Sequence, residues 1–446
     1  MRQNLRNIPN PSWWPGATAA VALVYGLSWA TQGWAQTDSD RIAELERLVK
    51  QLTERVKAVD QMKVAEPAPS TTAAPVVEAA DAPTATQESR IDALELTFKQ
   101  MDESSSSNRA SLGVPLHGFM DVGYAHSRQT TTDDRRGGFV LGNLDFYLTP
   151  EFGSRVKSLI EVVFEWDHHG GLLTDLERLQ IGYTFADTLT LWAGRFHSPY
   201  GYWNTAFHHG AQFQTAITRP RFLEFEDKGG ILPAHAVGLW GTGKRAAGPG
   251  KVVYDVYVIN GNRVTDGELD FQAVLDDNSN KGLGSRVGYA FSGALSGLTL
   301  GVHGVSQSVK IYTGGMRTGQ SDLRMLGGYA VYDTDDWEAI AEYYNYHDRD
   351  LTGSSGTRTS WAAFAQVGRH FDAGFTPYAR YEKASLDQSD PYFQNLISGA
   401  SYNRGVIGLR YDLDTRAALK LEGNRTHDAR LAESFEEVHI QFAVRF

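Results

Sequence analysis

The chain has 446 residues, 42 Lys and Arg against 53 Asp and Glu, and a formal net charge of −11. That acidic balance argues against a nucleic-acid partner, and the complete absence of Cys excludes a fold that depends on disulfide staples. With 45 Gly, 10 Trp, 20 Tyr and 21 Phe at a mean hydropathy of −0.35, the composition suits a wall with one apolar and one wet face.

Residues 1–35 read as a cleaved export signal. Arg2 and Arg6 precede a largely apolar run from Ala17 to Ala30, and Gly33-Trp34-Ala35 places small residues where a signal peptidase reads. The run is shorter than the ~20 residues a spanning helix needs, and no comparable run follows. Losing the two arginines takes the net charge from −11 to −13. If the chain enters a membrane it does so as a closed barrel, because lipid leaves backbone donors and acceptors no other way to pair.

Residues 36–63 carry a helical seam, Ile42, Leu45, Val49, Leu52, Val56 and Val59, in coiled-coil steps of three and four. Residues 64–88 form a Pro- and Ala-rich linker in which Pro67, Pro69, Pro75 and Pro83 forbid helix. The seam resumes over 89–110 with Ile91, Leu94, Phe98 and Met101. Both pieces open alike, Arg41-Ile42-Ala43-Glu44-Leu45-Glu46 and Arg90-Ile91-Asp92-Ala93-Leu94-Glu95, and this opening resembles a trimer-favouring coiled-coil motif. So short a helix is marginal alone, so it is expected to order only where chains are already gathered.

From about residue 111 to 446, segments with period-two alternation recur, separated in turn by tight turns and longer polar loops. Val156, Ile160, Val162, Phe164 and Trp166 share one face against Arg155, Lys157, Glu161 and Glu165; Leu419 and Leu421 oppose Lys420 and Glu422. Strand centres fall near residues 120, 144, 161, 180, 192, 238, 256, 286, 303, 328, 342, 366, 380, 407, 420 and 441. An all-β, transmembrane antiparallel barrel of about sixteen strands follows. Tight turns are expected at 150–154, 186–188, 333–336, 372–374 and 412–415. Long loops are expected at 127–137, 167–173, 199–233, 262–280, 310–321, 348–359, 387–401 and 427–434. A propeller would show a repeat of roughly forty to fifty residues, which is absent. A sandwich would not need Trp166, Trp192, Trp240, Trp337 and Trp361 near strand ends or on outward faces, where aromatic girdles sit. The last strand places Val438, Ile440, Phe442, Val444 and Phe446 on one face. Ending on an aromatic, it resembles the closing strand of bacterial outer-membrane barrels.

The longest loop follows the fifth strand and holds Arg219, Arg221, Glu224, Glu226 and Asp227. Loops of that length are seldom idle. The export signal, the strand count, a long loop at this point and the N-terminal helices together resemble the phosphate-selective porin O and P family and its coiled-coil-bearing relatives, over roughly 115–446. The resemblance implies a trimeric outer-membrane porin with a periplasmic N-terminal segment, in which the loop folds inward and basic residues pass anions. The candidate pore-lining cations are Arg155, Lys157, Arg178, Arg286, Arg380, Arg410 and Lys420 on predicted inward faces, with Arg219 and Arg221 on the loop. Such a row can strip and rehydrate an anion in steps.

Glu161, Glu165, Glu382 and Glu422 share those faces, and Glu224, Glu226 and Asp227 share the loop. Mixed charge leaves two alternatives: a transverse field across a general diffusion pore, or pairing that simply holds wall and loop together. His168-His169, His208-His209 and His235 match no zinc spacing. An enzyme would need a nucleophile, a base and an orienting acid, and His197, Ser198 and Asp227 form no convincing set; no Gly-x-Ser-x-Gly elbow is present in its required setting. No catalytic residue, cofactor or metal is expected. A cell-envelope tether or adhesin whose stalk contacts peptidoglycan is the remaining alternative.

Overall fold

A computed structural model describes residues 116–129, 135–150, 152–166, 171–207, 210–270, 280–353, 355–430 and 433–446. The signal, both helical seams and the linker lie outside the described residues, as do His168-His169 and His208-His209. Eighteen strands run in chain order: β1 (Leu116–Gln129), β2 (Arg135–Leu148), β3 (Val156–Trp166), β4 (Leu172–Ala186), β5 (Leu189–His197), β6 (His235–Ala247), β7 (Gly250–Ile259), β8 (Arg263–Thr265), β9 (Glu268–Leu269), β10 (Gly282–Ala290), β11 (Leu298–Thr313), β12 (Met316–Asp333), β13 (Trp337–Asp350), β14 (Thr357–Arg369), β15 (Phe375–Ser385), β16 (Tyr402–Asp414), β17 (Ala417–Asp428) and β18 (Glu433–Arg445). Sixteen of them pair antiparallel with sequence neighbours, β7 with β10 across the β8–β9 hairpin, and β18 returns to β1 with Phe119 opposite Arg445 and Gln129 opposite Phe435. The sixteen-strand wall therefore closes and has no free edge.

Alternation sets which face is which. In β15, Thr376, Tyr378, Arg380, Glu382 and Ala384 are buried while Phe375, Pro377, Ala379, Tyr381, Lys383 and Ser385 are exposed. The polar positions point into the barrel, and Leu239, Val302, Leu326, Ile407, Leu421 and Phe442 lie exposed outside. Each predicted strand centre falls within one of the sixteen wall strands. At the seam, Gly118 and Phe446 exchange main-chain hydrogen bonds of 3.1 and 3.0 Å, and Phe446 meets Phe146 edge to face at 5.9 Å.

Two expectations need correction. The loop expected at 310–321 is a hairpin: β11 runs to Thr313, β12 starts at Met316, and Gly314-Gly315 with φ of 57° and 77° make the two-residue turn. Both positions need positive φ, which glycine adopts without steric cost. Trp192 and Trp240 are not girdle residues. They stack 6.2 Å apart, and the Trp240 indole N–H donates to the inward Asp255 at 2.9 Å. Arg155 lies in the exposed turn before β3, where its carbonyl accepts from the Thr184 N–H at 2.9 Å and carries the β3–β4 ladder one step past Val156. By register Lys157 sits opposite Gly182, and Gly182 opposite Trp192, which gives Lys157 the inward face at the tight-turn end of the barrel, where it is exposed.

Candidate functional site

The segment 198–234 leaves β5 and crosses the barrel interior before rejoining the wall at β6. Pro199, Pro220 and Pro233 prevent it from adding a strand. It keeps only short helical pieces: α1 (Trp203–Ala206) and 3-10 turns at Arg221–Leu223 and Glu226–Lys228. Its own framework is polar. Asn204 Nδ2 donates to the carbonyls of Ser198 and Ala234, both at 3.0 Å, tying the two ends of the loop together. Arg219 donates to the carbonyls of Leu223 (2.9 Å) and Phe207 (3.1 Å) and lies 4.2 Å over the Phe225 ring. Trp203, Phe222, Leu223 and Leu232 are fully buried, so the loop brings its own hydrophobic core into the barrel.

The far wall holds the loop by its backbone. Three carboxylates collect its N–H groups. Glu342 accepts from Tyr202 (3.1 Å) and Trp203 (2.6 Å), Glu422 from Ile217 (2.8 Å) and Thr218 (3.3 Å), and Glu382 from Arg221 (2.7 Å). Cations collect its carbonyls. Arg380 donates to Thr218 O (2.9 Å) and Arg219 O (3.1 Å), Arg404 to Arg219 O (3.3 Å), and Arg410 to Gln212 O (2.6 Å) and Gln214 O (3.0 Å). Lys420 Nζ donates to Ala211 O, to Gln214 O at 2.7 Å and to Ala216 O at 3.4 Å. Arg286, paired with Asp255 at 2.7 Å, donates to Gly201 O at 2.9 Å. Each charge thus meets main-chain dipoles of opposite sense in a buried setting, where a charge-assisted hydrogen bond is strong and an unpaired charge is costly.

The residues expected to line a pore therefore divide. Arg286, Arg380, Arg410 and Lys420 converge on the loop, and Arg219 is turned into it. Arg178 pairs with Glu161 across β3 and β4. Arg221 reaches Asp428 at 2.6 Å and lies 5.0 Å over the Tyr402 ring. Glu226 accepts from the His235 main-chain N–H at 2.9 Å and meets its ring, while Glu177 holds the other ring nitrogen. The side chain of Asp227 lies outside the described residues. Glu224 is buried enough that its carboxyl rises above the usual range, against the pull of Arg219, Arg404 and Lys228; burial likewise lowers the Arg219 guanidinium, against Glu224.

Toward β18 and β1 to β4 exposure is uneven: Arg178 is 25% exposed and Glu437 33%, whereas Asp145, Glu161, Glu165, Glu177, Gln180 and Gln441 are buried. On the loop, Arg221 (26%), turned to Asp428 of β17, and Lys228 (40%), turned to Glu165 of β3, are also partly exposed. The contact of Phe213 on Phe119 at 4.9 Å fixes the loop against β1.

Several wall residues escaped sequence reasoning. Glu338, which accepts from Thr215 Oγ1 at 2.8 Å, and Glu342 occupy alternate inward positions of β13, so parity alone could have placed them. Arg404 and Tyr402 follow in the same way from β16. Two small elements had local signals. Asp266-Gly267 closes the β8–β9 hairpin with positive φ at both residues. Asp390-Pro391 starts α2 (Pro391–Asn395), with Asp390 accepting from Tyr392 N–H at 2.9 Å.

No protein-family model matches this chain, and no curated protein does. Solved structures match its shape. An anion-selective porin from Comamonas acidovorans is 15% identical, covers 75% of this chain and 99% of its own, and gives a TM-score of 0.50. The outer membrane channel DcaP of Acinetobacter baumannii is 13% identical, covers 75% and 97%, and also gives 0.50. What the chain shares with these porins is the barrel fold.

Proposed function

We propose that this chain is an outer-membrane porin through which small hydrophilic solutes diffuse passively, phosphate- or carboxylate-bearing anions among them. The observation that carries the reading is the loop 198–234, held inside the closed barrel by hydrogen bonds to β10, β13, β15 and β17, which leaves Arg178, Glu437, Arg221 and Lys228 as partly exposed charged groups of the interior. The apolar outer face supports membrane insertion. Most expected pore cations are engaged by loop carbonyls, so the anions would meet Arg178, Arg221 and Lys228 instead. Each of these has a carboxylate partner, Glu161, Asp428 and Glu165, so the field is mixed and the preference modest.

The export signal, the periplasmic placement of the N-terminal helices, their trimeric coiled coil and its contact with peptidoglycan belong to the same reading. Planar-bilayer recording tests it. Purified protein under a salt gradient should give conductance steps in groups of three, and Arg221→Gln with Lys228→Gln should move the reversal potential toward cations. Absence of conductance would return the chain to an envelope tether or an enzyme.

A further inference from the structure

The outer face of β12 and β13 carries an ion cluster that the loop and the passage do not use. Leu323 and Met325 point inward and are buried, while Arg324 between them points out with its side chain 61% exposed. On β13, Arg349 follows the buried Asp348 and is 59% exposed. Both guanidiniums reach one carboxylate oxygen, Asp322 Oδ2, at 3.1 and 3.4 Å. Register sets Asp322 opposite Arg349 and Arg324 opposite His347, which is itself exposed. Two arginines thus share a single acid, with His347, whose ring meets Thr359 Oγ1 at 3.4 Å, beside them.

Exposed ion pairs of this kind contribute little to folding. On the lipid side of a barrel, cations are tolerated near the interface and penalised at mid-depth. The cluster lies near the long-loop end of β13. Toward the barrel waist come the exposed Leu326, level with Trp361, and then the exposed Tyr343, on which Trp361 stacks at 6.2 Å with Lys383 Nζ 5.9 Å from the Trp361 ring. The order is cationic, then apolar and aromatic, over a few residues of strand. A phosphate-bearing lipid has the same order from headgroup to chain, and a pair of guanidinium forks matches phosphate oxygens.

We propose that Arg324, Arg349 and His347 bind the phosphate of an anionic lipid whose acyl chains lie on Leu326 and Tyr343. The proposal rests on the membrane reading above. The test is native mass spectrometry of the full chain in detergent, titrated with dioleoylphosphatidic acid and, separately, with dioleoylphosphatidylcholine. Wild type should retain the phosphatidic acid preferentially. Arg324→Gln with Arg349→Gln should cut that retention about tenfold, Arg324→Lys with Arg349→Lys should restore part of it, and bilayer conductance of both variants should match wild type, which shows the barrel intact.

Equal retention of the two lipids by wild type, or undiminished retention by the Gln variant, overturns the site. Competition by inorganic phosphate at equal concentration would make the ligand free phosphate and overturn the lipid. A chain that enters no bilayer and conducts nothing defeats the membrane reading itself, a result distinct from these.

Discussion

Glu342 Oε1 accepts the main-chain N–H of Trp203 at 2.6 Å, across 139 residues of sequence, and its other oxygen accepts the Tyr344 hydroxyl at 2.5 Å. One wall carboxylate therefore holds the start of α1 and is itself held by its neighbour on β13. Glu342→Ala leaves the N–H groups of Tyr202 and Trp203 buried without an acceptor, a cost of about 2 kcal/mol. Expected are a lower unfolding temperature of the detergent-solubilised barrel and a larger, noisier single-channel conductance. Glu342→Gln, which keeps an acceptor, should fall between. An alanine variant with wild-type conductance and noise would show that this contact does not set the loop.

The cation side should be more sensitive. Lys420 is 1% exposed and donates to three loop carbonyls, those of Ala211, Gln214 and Ala216. Lys420→Met keeps the side-chain length and removes the charge. It takes a donor from each of those carbonyls, of which Gln214 O keeps Arg410, and one of the cations near Asp121 and Glu422, and removal of one partner from such a buried arrangement costs about 3–5 kcal/mol. Thermal unfolding followed by tryptophan fluorescence should show a fall several times larger than for Lys383→Met, whose ammonium lies outside over Trp361. Equal effects would deny Lys420 its anchoring role.

The wall was legible in the sequence because period two is imposed by the two environments a strand meets. Leu419 and Leu421 are exposed outside, and Lys420 and Glu422 are buried within, as the alternation required. The loop's position after the fifth strand was equally readable from its length and prolines. What each inward charge touches was not. Lys420 finds Gln214 across 206 residues and Arg380 finds Arg219 across 161, separations no local spacing encodes. Both are charge-to-carbonyl contacts, whereas the opposite-charge pairs expected along wall and loop occur at Arg178–Glu161, Arg221–Asp428 and Lys228–Glu165. The Gly314-Gly315 hairpin reads as a loop in the sequence because its polar strands extend past the apolar band, where alternation no longer marks a membrane face.

Tyr378 lies across Gly408 on the neighbouring strand while its hydroxyl donates to Glu422 at 2.8 Å. A Cβ at residue 408 would come within 2.3 Å of the Tyr378 ring and 2.7 Å of the Leu421 carbonyl oxygen. Gly408→Ala should displace the ring, break the bond to Glu422 and cost about 1–3 kcal/mol. Tyr378→Phe removes the hydroxyl but keeps the packing, and should cost about 1 kcal/mol. If Gly408→Ala were the milder of the two in thermal unfolding, the ring would have room that this contact denies it.

Glu224 gives the loop a dependence on acidity whose sign can be worked out. Burial raises its carboxyl above the ordinary 4.5, and Arg219, Arg404 and Lys228 oppose the rise without cancelling it. The docked loop therefore binds this proton more tightly than the undocked loop does. Its contribution to docking is complete below the ordinary value and fades as pH rises from there through the raised one. Channel noise from loop motion should then fall on acidification through that window and rise toward neutrality. Glu224→Gln, which cannot ionise, should hold the quiet, acid-like behaviour at every pH. Noise that keeps the same pH profile in Glu224→Gln would assign the titration to another group.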